Sequence, residues 1–200
     1  MSKAELTARA QLLQVRVREA MAVCESLLED LELPDTIDSV VEAIVSALRN
    51  GGKVLLCGNG GSAADAQHLA AELVGRFCME REPLAAIALS DNVAAITAVS
   101  NDYAYRDVFA RMVNALASPG DVLIALSTSG KSANVLEALR AARDREMITV
   151  AFLGAAGSPM EALSEYVLRV NAPSTARIQE GHMLVGHTIL ELVERELCQV

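Results

Sequence analysis

Twice in this chain a short apolar run ends in a turn of small residues and passes straight into a proline-free helical stretch. In the first instance Val54 to Cys57 breaks at Gly58-Asn59-Gly60-Gly61, and Ser62 opens an Ala-rich segment. In the second, Val122 to Leu126 leads through Ser127-Thr128-Ser129-Gly130-Lys131-Ser132 into a helix that runs to about Arg145. Runs bounded in this way read as strand, turn and helix. Further strands are expected at Leu84 to Leu89, Thr149 to Leu153 and Tyr166 to Val170, with helices at Ala94 to Val99, Tyr105 to Leu116 and Arg177 to Leu197. Strands alternating with helices predict an α/β fold: a doubly wound, five-stranded parallel sheet covered on both faces. Ahead of it lie a long amphipathic helix from about Lys3 to Asp30, ended near Leu33-Pro34, and a second from about Thr36 to Arg49, stopped by Asn50-Gly51-Gly52. Such a first helix either packs on another subunit or caps its own sheet. The 200 residues show no linker, so they read as one domain, with the helices of 1–50 used in packing and 53–200 carrying the sheet and the site.

The two turns fix the chemistry. Glycines allow close approach of backbone to ligand, and the first N–H groups of a helix, at its positive dipole end, attract an anion. The glycine turn is neither a Walker loop nor the dinucleotide Gly-x-Gly-x-x-Gly, so a phosphate that does not belong to a nucleotide is the expected guest. The hydroxyl-rich second turn makes a second anion cradle. His68 and Glu72, four residues apart, share one face of the helix after the glycine turn. That pair offers acid/base or metal-binding chemistry, although such pairs are more often plain surface contacts.

Bulk properties remove other classes of function. A formal charge of −9 and the absence of Trp speak against a nucleic-acid surface, which needs a basic field and stacking platforms. Cys24, Cys57, Cys78 and Cys198 form no Cys-x-x-Cys pair, which excludes a zinc ribbon and suits a reducing compartment. Neither a signal segment nor an apolar run near 20 residues is visible, so a cytoplasmic protein that makes no membrane contact is expected. Cys57, at the end of a buried strand, reads as core rather than nucleophile.

Taken together and in order, several stretches resemble the sugar isomerase (SIS) domain family, and within it the branch acting on sedoheptulose 7-phosphate. They are Cys57-Gly-Asn-Gly-Gly-Ser-Ala-Ala-Asp-Ala-Gln-His68, Ala71-Glu72-Leu, Ser100-Asn-Asp102, Gly120-Asp-Val-Leu, Ser127-Thr-Ser-Gly-Lys-Ser-Ala-Asn134, and Arg177-Ile-Gln-Glu-Gly-His182 with His187. The resemblance spans nearly the whole chain. It implies a flavodoxin-like SIS fold, a homotetramer with sites at subunit interfaces, and conversion of D-sedoheptulose 7-phosphate to D-glycero-D-manno-heptose 7-phosphate, which feeds lipopolysaccharide and related glycoconjugates. By the same resemblance the sugar phosphate is bound by Ser127, Thr128, Ser129 and Ser132, with Asn59, Gly60 and Gly61 close by, Asn101 and Asp102 on sugar hydroxyls, and Glu72 and Gln179 also on substrate. One zinc ion per subunit is implied on His68, Glu72, Gln179 and His187, a nitrogen and oxygen set that suits this metal. Gln179 and His187, eight residues apart, lie about 80° from each other around a helix, so both can face one site.

The implied reaction moves a proton between neighbouring carbons through an enediol. The resemblance gives Glu72 the carbon proton and His187 the oxygens. Lys131 lies in the hydroxyl turn, but an exposed lysine there is more often solvated. Glu180 and His182 read as structural or interface residues, and Tyr103 and Tyr105 as candidates for interface stacking. Ala176 stands where some members carry Asp, and Ser90-Asp91-Asn92-Val93 and Gly154-Ala-Ala-Gly157 also depart from the family pattern. These departures touch the pocket rim. Two rival readings keep the fold: a non-catalytic regulator that binds the replication initiator protein, and an isomerase or sensor of another sugar phosphate such as a hexosamine 6-phosphate. The regulator branch lacks equivalents of Glu72 and His187.

Overall fold

The computed structural model describes residues 3–154 and 157–198. Five strands, β1 (Val54–Cys57), β2 (Ala86–Ala88), β3 (Val122–Ser127), β4 (Ile148–Leu153) and β5 (Tyr166–Arg169), form one sheet in the order β2-β1-β3-β4-β5. Every neighbouring pair is parallel, with Val54 beside both Ala86 and Val122. This is the flavodoxin-like winding, in which the chain builds outward from β1 in one direction and from β3 in the other. Crossovers between parallel strands are helical: α3 (Gly61–Val74), α4 (Val93–Asp102), α5 (Val108–Leu116) and α6 (Ala133–Asp144) lie between strands, while α1 (Lys3–Glu29) and α2 (Leu33–Arg49) precede the sheet and α7 (Thr175–Cys198) follows it.

Successive strand residues point to opposite faces, and here both faces are covered, which explains the unbroken apolar runs. Val54, Leu56, Val122, Ile124, Val150 and Phe152 pack with α2, α3 and α7. Leu55, Cys57, Leu123, Ala125 and Ala151 pack with α5 and α6. At the amino ends of the strands the fully buried Asp121 accepts hydrogen bonds from Lys53 N and Ser118 N, at 2.9 and 2.7 Å, and pairs with Lys53 Nζ at 2.6 Å. The opposite, carboxyl ends of β1 and β3 are thereby left to the two small-residue turns.

Several boundaries differ from the sequence expectation. β2 is shorter than Leu84 to Leu89, because Leu84 N donates to the Leu73 carbonyl at the end of α3 rather than to the sheet. α2 starts at Leu33 and not Thr36: Pro34 sits in its first turn, where a missing N–H is harmless, and Asp30 Oδ1 collects the N–H groups of Glu32 and Leu33. The helix expected from Tyr105 opens as a 3₁₀ turn, Tyr105–Asp107, before α5. In the Gly154 to Gly157 loop, Ala155 and Ala156 lie outside the described residues. α1 sends Val23 and Leu27 into the fold, but Leu13, Val17 and Met21, each four residues from the next, are 64%, 49% and 56% exposed. That stripe is left uncovered by the described residues.

Candidate active site

The two turns meet where the winding changes direction, between β1 and β3, the place where ligands of such sheets bind. They enclose a cavity of about 340 Å³ lined by Asn59, Gly60, Gly61, Ser62, Leu126, Ser127, Thr128, Ser129, Ser132, Thr175 and Gln179. α3 and α6 both begin here, and neither has a side-chain cap on its first turn, so backbone donors remain directed at the cavity. The hydroxyls are held from within: Ser127 Oγ lies 3.3 Å from Ser132 Oγ and accepts from Gly130 N at 3.1 Å. Gly130 has φ +62°, and a Cβ there would stand 2.2 Å from Ser158 Oγ, so both backbone conformation and space demand glycine. Between the turns Asn59 and Asn134 exchange two amide hydrogen bonds of 2.8 Å, and Tyr105 Oη donates to Asn59 Oδ1 at 2.8 Å. The glycine turn and the hydroxyl turn are therefore one braced unit.

Further along, α3 and α7 run side by side in the same direction: Gly61 meets Gln179, Leu69 meets Gly186, and His68 meets His187. Glycine at 61 leaves room for the Gln179 carboxamide, whose Nε2 lies 2.3 Å from where a Cβ would be. Seven residues on, about 10 Å along α3, His68 Nε2 stands 3.1 Å from His187 Nε2 and 3.2 Å from Glu72 Oε1. One donor atom from each of the three lies within 4.8 Å of the others. The His68–His187 and His68–Glu72 separations are close to the about 3.3 Å expected between ligands of a tetrahedral zinc with 2.0 Å bonds. Phe77 stacks on His187, with ring centroids 5.4 Å apart and planes inclined by 20°. Burial pushes the His187 imidazole below its ordinary value and nearby His68 adds to this, while Glu72 opposes it. This favours the neutral imidazole, the form that can bind a metal or accept a proton from oxygen.

The SIS domain family model matches residues 17–154. The phosphoheptose isomerase of Rhodospirillum rubrum is 47% identical over 184 residues, covering 90% of this chain and 98% of that protein. That of Roseiflexus sp. is 54% identical over 161 residues, covering 80% and 82%. Among solved structures, the phosphoheptose isomerase GmhA from Neisseria gonorrhoeae superposes with a TM-score of 0.86 at 39% identity, over 92% of this chain and 98% of that one. The chain belongs to the phosphoheptose isomerase family. In this phosphoheptose isomerase family member, Asn59, Gly60, Gly61, Ser127, Thr128, Ser129, Ser132 and Gln179 all line one cavity. His68, Glu72 and His187 form a second group, beside the first.

Gln179 does not join that second group within the chain. Rotation about α7 brings it to the same side as His187, but eight residues of helix separate them by about 12 Å along the axis. Asn101 and Asp102 close α4, are exposed, and bond to each other at 2.8 Å outside the cavity lining. Lys131 is exposed and lends its backbone N–H to Ser129 Oγ. Tyr103 lies under the Arg111 guanidinium at 4.0 Å, whereas Tyr105 braces the cradle. His182 is fully buried and its Nε2 donates to the Leu153 carbonyl at 2.9 Å. Glu180 pairs with Arg177. Burial pushes the Cys57 thiol up to about 12, leaving no useful thiolate. Sequence reasoning gave no role to Asn134 and missed Thr175 and Phe77. Asn134 closes the quoted hydroxyl motif and was within reach, but Phe77 carries no local signal of its role.

Proposed function

We propose that this chain is an aldose-ketose isomerase that converts D-sedoheptulose 7-phosphate to D-glycero-D-manno-heptose 7-phosphate. The observation that carries the reading is the pairing of a phosphate-type cradle with His68, Glu72 and His187 along one pair of parallel helices. In a seven-carbon ketose phosphate the phosphorus and the carbonyl carbon are roughly 8–9 Å apart along an extended chain of about 1.5 Å bonds. The cradle and the His/Glu group are separated by a similar distance along α3. Likeness to the relatives named above supports the same substrate. The adjacent Glu72 and His187 weigh against a non-catalytic regulator.

The cradle binds the phosphate through backbone N–H groups and the Ser127, Thr128, Ser129 and Ser132 hydroxyls, and Asn101 and Asp102 serve sugar hydroxyls. Glu72 takes the proton from C1 of the ketose, the C1–C2 bond gains enediol character, and Glu72 returns a proton to C2. His187 moves the oxygen proton, accepting from the C1 hydroxyl and donating to the former carbonyl oxygen, so charge and protons balance across the step. Each such transfer contributes about 10²- to 10⁴-fold. His68, Glu72 and His187, with Gln179 supplied from another subunit or after movement, would hold one zinc per subunit. Bound there, zinc would polarise the substrate carbonyl. The apolar stripe of α1 supports assembly of the chain with copies of itself, as a homotetramer, and no described helix is long and apolar enough to cross a membrane.

Proton NMR of the protein with sedoheptulose 7-phosphate in D₂O, with zinc and with a chelator, tests this. Aldose formation with deuterium entering beside the carbonyl is expected, faster with zinc. Deuterium without aldose would point to a related sugar phosphate, and no exchange in either condition would remove the isomerase.

A further inference from the structure

The Glu194 side chain is only 1% exposed, two helical turns beyond His187 on α7, and the reaction makes no use of it. Its carboxylate accepts four hydrogen bonds from one short segment after α3: Phe77 N at 3.0 Å, Cys78 N at 2.6 Å, Met79 N at 2.8 Å and Arg81 Nε at 2.9 Å. Burial by itself would raise the Glu194 carboxyl, yet these donors outweigh it and hold the group below its ordinary value. Arg81, its side chain also buried, donates to the carbonyls that end α3, Leu73 at 2.9 Å and Glu72 at 2.8 Å, and to the Glu82 carbonyl at 3.1 Å. The segment from Gly75 to Arg81 is thus wound around one carboxylate and tied to the backbone of Glu72.

Such a device is an expensive way to fix a loop. Buried ion pairs are often no more stable than well-packed apolar replacements. What this one does is place the Phe77 ring flat against His187. The imidazole thus has that ring and the His68 ring as neighbours, centroids 5.4 and 5.1 Å away, and its terminal torsion, otherwise broad, is set with Nε2 toward His68. We propose that Phe77 is a positioning residue for His187, and that the Glu194–Arg81 clamp holds the ring in that place. Phe77 lies outside the cavity that would take the phosphate, so its contribution belongs to turnover and not to substrate affinity. The inference rests on the reading of His187 as a proton-transfer group.

Phe77→Leu, Phe77→Tyr and Glu194→Gln in the full-length protein separate the possibilities, with steady-state kinetics and NMR of the imidazole ring protons as paired readouts. Only three histidines need assignment. Phe77→Leu is expected to lower kcat about tenfold while KM stays within about twofold, as small misplacements of reacting groups do. Phe77→Tyr should restore kcat, and Glu194→Gln should act like Phe77→Leu. The His187 ring proton, shielded by the stacked ring, should lose that shift in Phe77→Leu and Glu194→Gln and keep it in Phe77→Tyr. Wild-type kcat in Phe77→Leu, or a loss carried by KM, would overturn the proposal. So would a His187 signal that does not move. Should Glu194→Gln fail to fold, the two Phe77 variants still decide. If wild-type protein does not turn over the sugar phosphate, the isomerase reading fails, and the NMR shift alone still tests whether Phe77 fixes His187.

Discussion

His187 stands between two kinds of neighbour, a polar pair made of His68 and Glu72 and an apolar ring from Phe77. The polar pair gives its nitrogen something to exchange protons with or to share a cation with, and the ring packs against the imidazole. On the proposed mechanism Glu72→Gln keeps shape but loses the base, and His187→Ala removes the oxygen-side donor. Each should lower kcat by about 10²-fold or more with circular dichroism unchanged. Near-wild-type turnover in either variant would dismiss that residue from the chemistry. His68 and Glu72 were legible in the sequence because a spacing of four places two side chains on one helical face. Gln179 shows where that arithmetic stops: an angular count gives direction around α7 but not height along it. Phe77 and Glu194 were not legible at all, since they join across 117 residues and Glu194 serves backbone donors, which no side-chain pattern encodes.

α3 is the element on which the site is strung, with its first residue in the cradle, His68 and Glu72 along its length, and Arg81 on its final carbonyls. Two glycine substitutions separate its role from that of the hydroxyl turn. Gly61→Ala pushes only on the flexible end of Gln179, so thermal stability should hold while KM for the sugar phosphate rises. Gly130→Ala adds a side chain at positive φ directly against Ser158, and should cost about 1–3 kcal/mol of stability, read as a lower melting temperature. Equal stabilities for the two variants would contradict this difference. The strand-turn-helix units were readable as elements because glycine and hydroxyl punctuation coincides with a change from an apolar run to a helical stretch. The early start of α2 and the short β2 were not, because a side chain at Asp30 and a carbonyl at Leu73 decide them.

For the whole molecule, the parallel sheet and its winding followed from the order of elements, whereas the lock between α7 and the sheet did not. His182 provides that lock. Burial pushes its imidazole below the ordinary 6.5, partly opposed by its bond to Leu153, and its Nδ1 has no hydrogen-bond partner among the described residues. The folded protein therefore keeps it neutral at a pH where the unfolded chain binds a proton. Its contribution is complete above about pH 6.5 and declines as pH falls toward the depressed folded value, by at most about 1.4 kcal/mol per pH unit. Glu194 and Glu161, both held below the ordinary 4.5, lose theirs only in a more acidic window. Melting temperature should thus fall between about pH 7 and pH 5, and less steeply in His182→Gln; parallel curves would exclude this origin. The parallel course of α3 and α7 has a consequence for selectivity. On the proposed reading the phosphate sits at the start of α3 and the carbonyl beside His68 and Glu72 further along it, so this helix acts as a ruler graduated in steps of 1.5 Å. A six-carbon ketose phosphate seated by its phosphate falls short of the imidazole by on the order of 1 Å, which makes it an occupant and a competitor before it is a substrate.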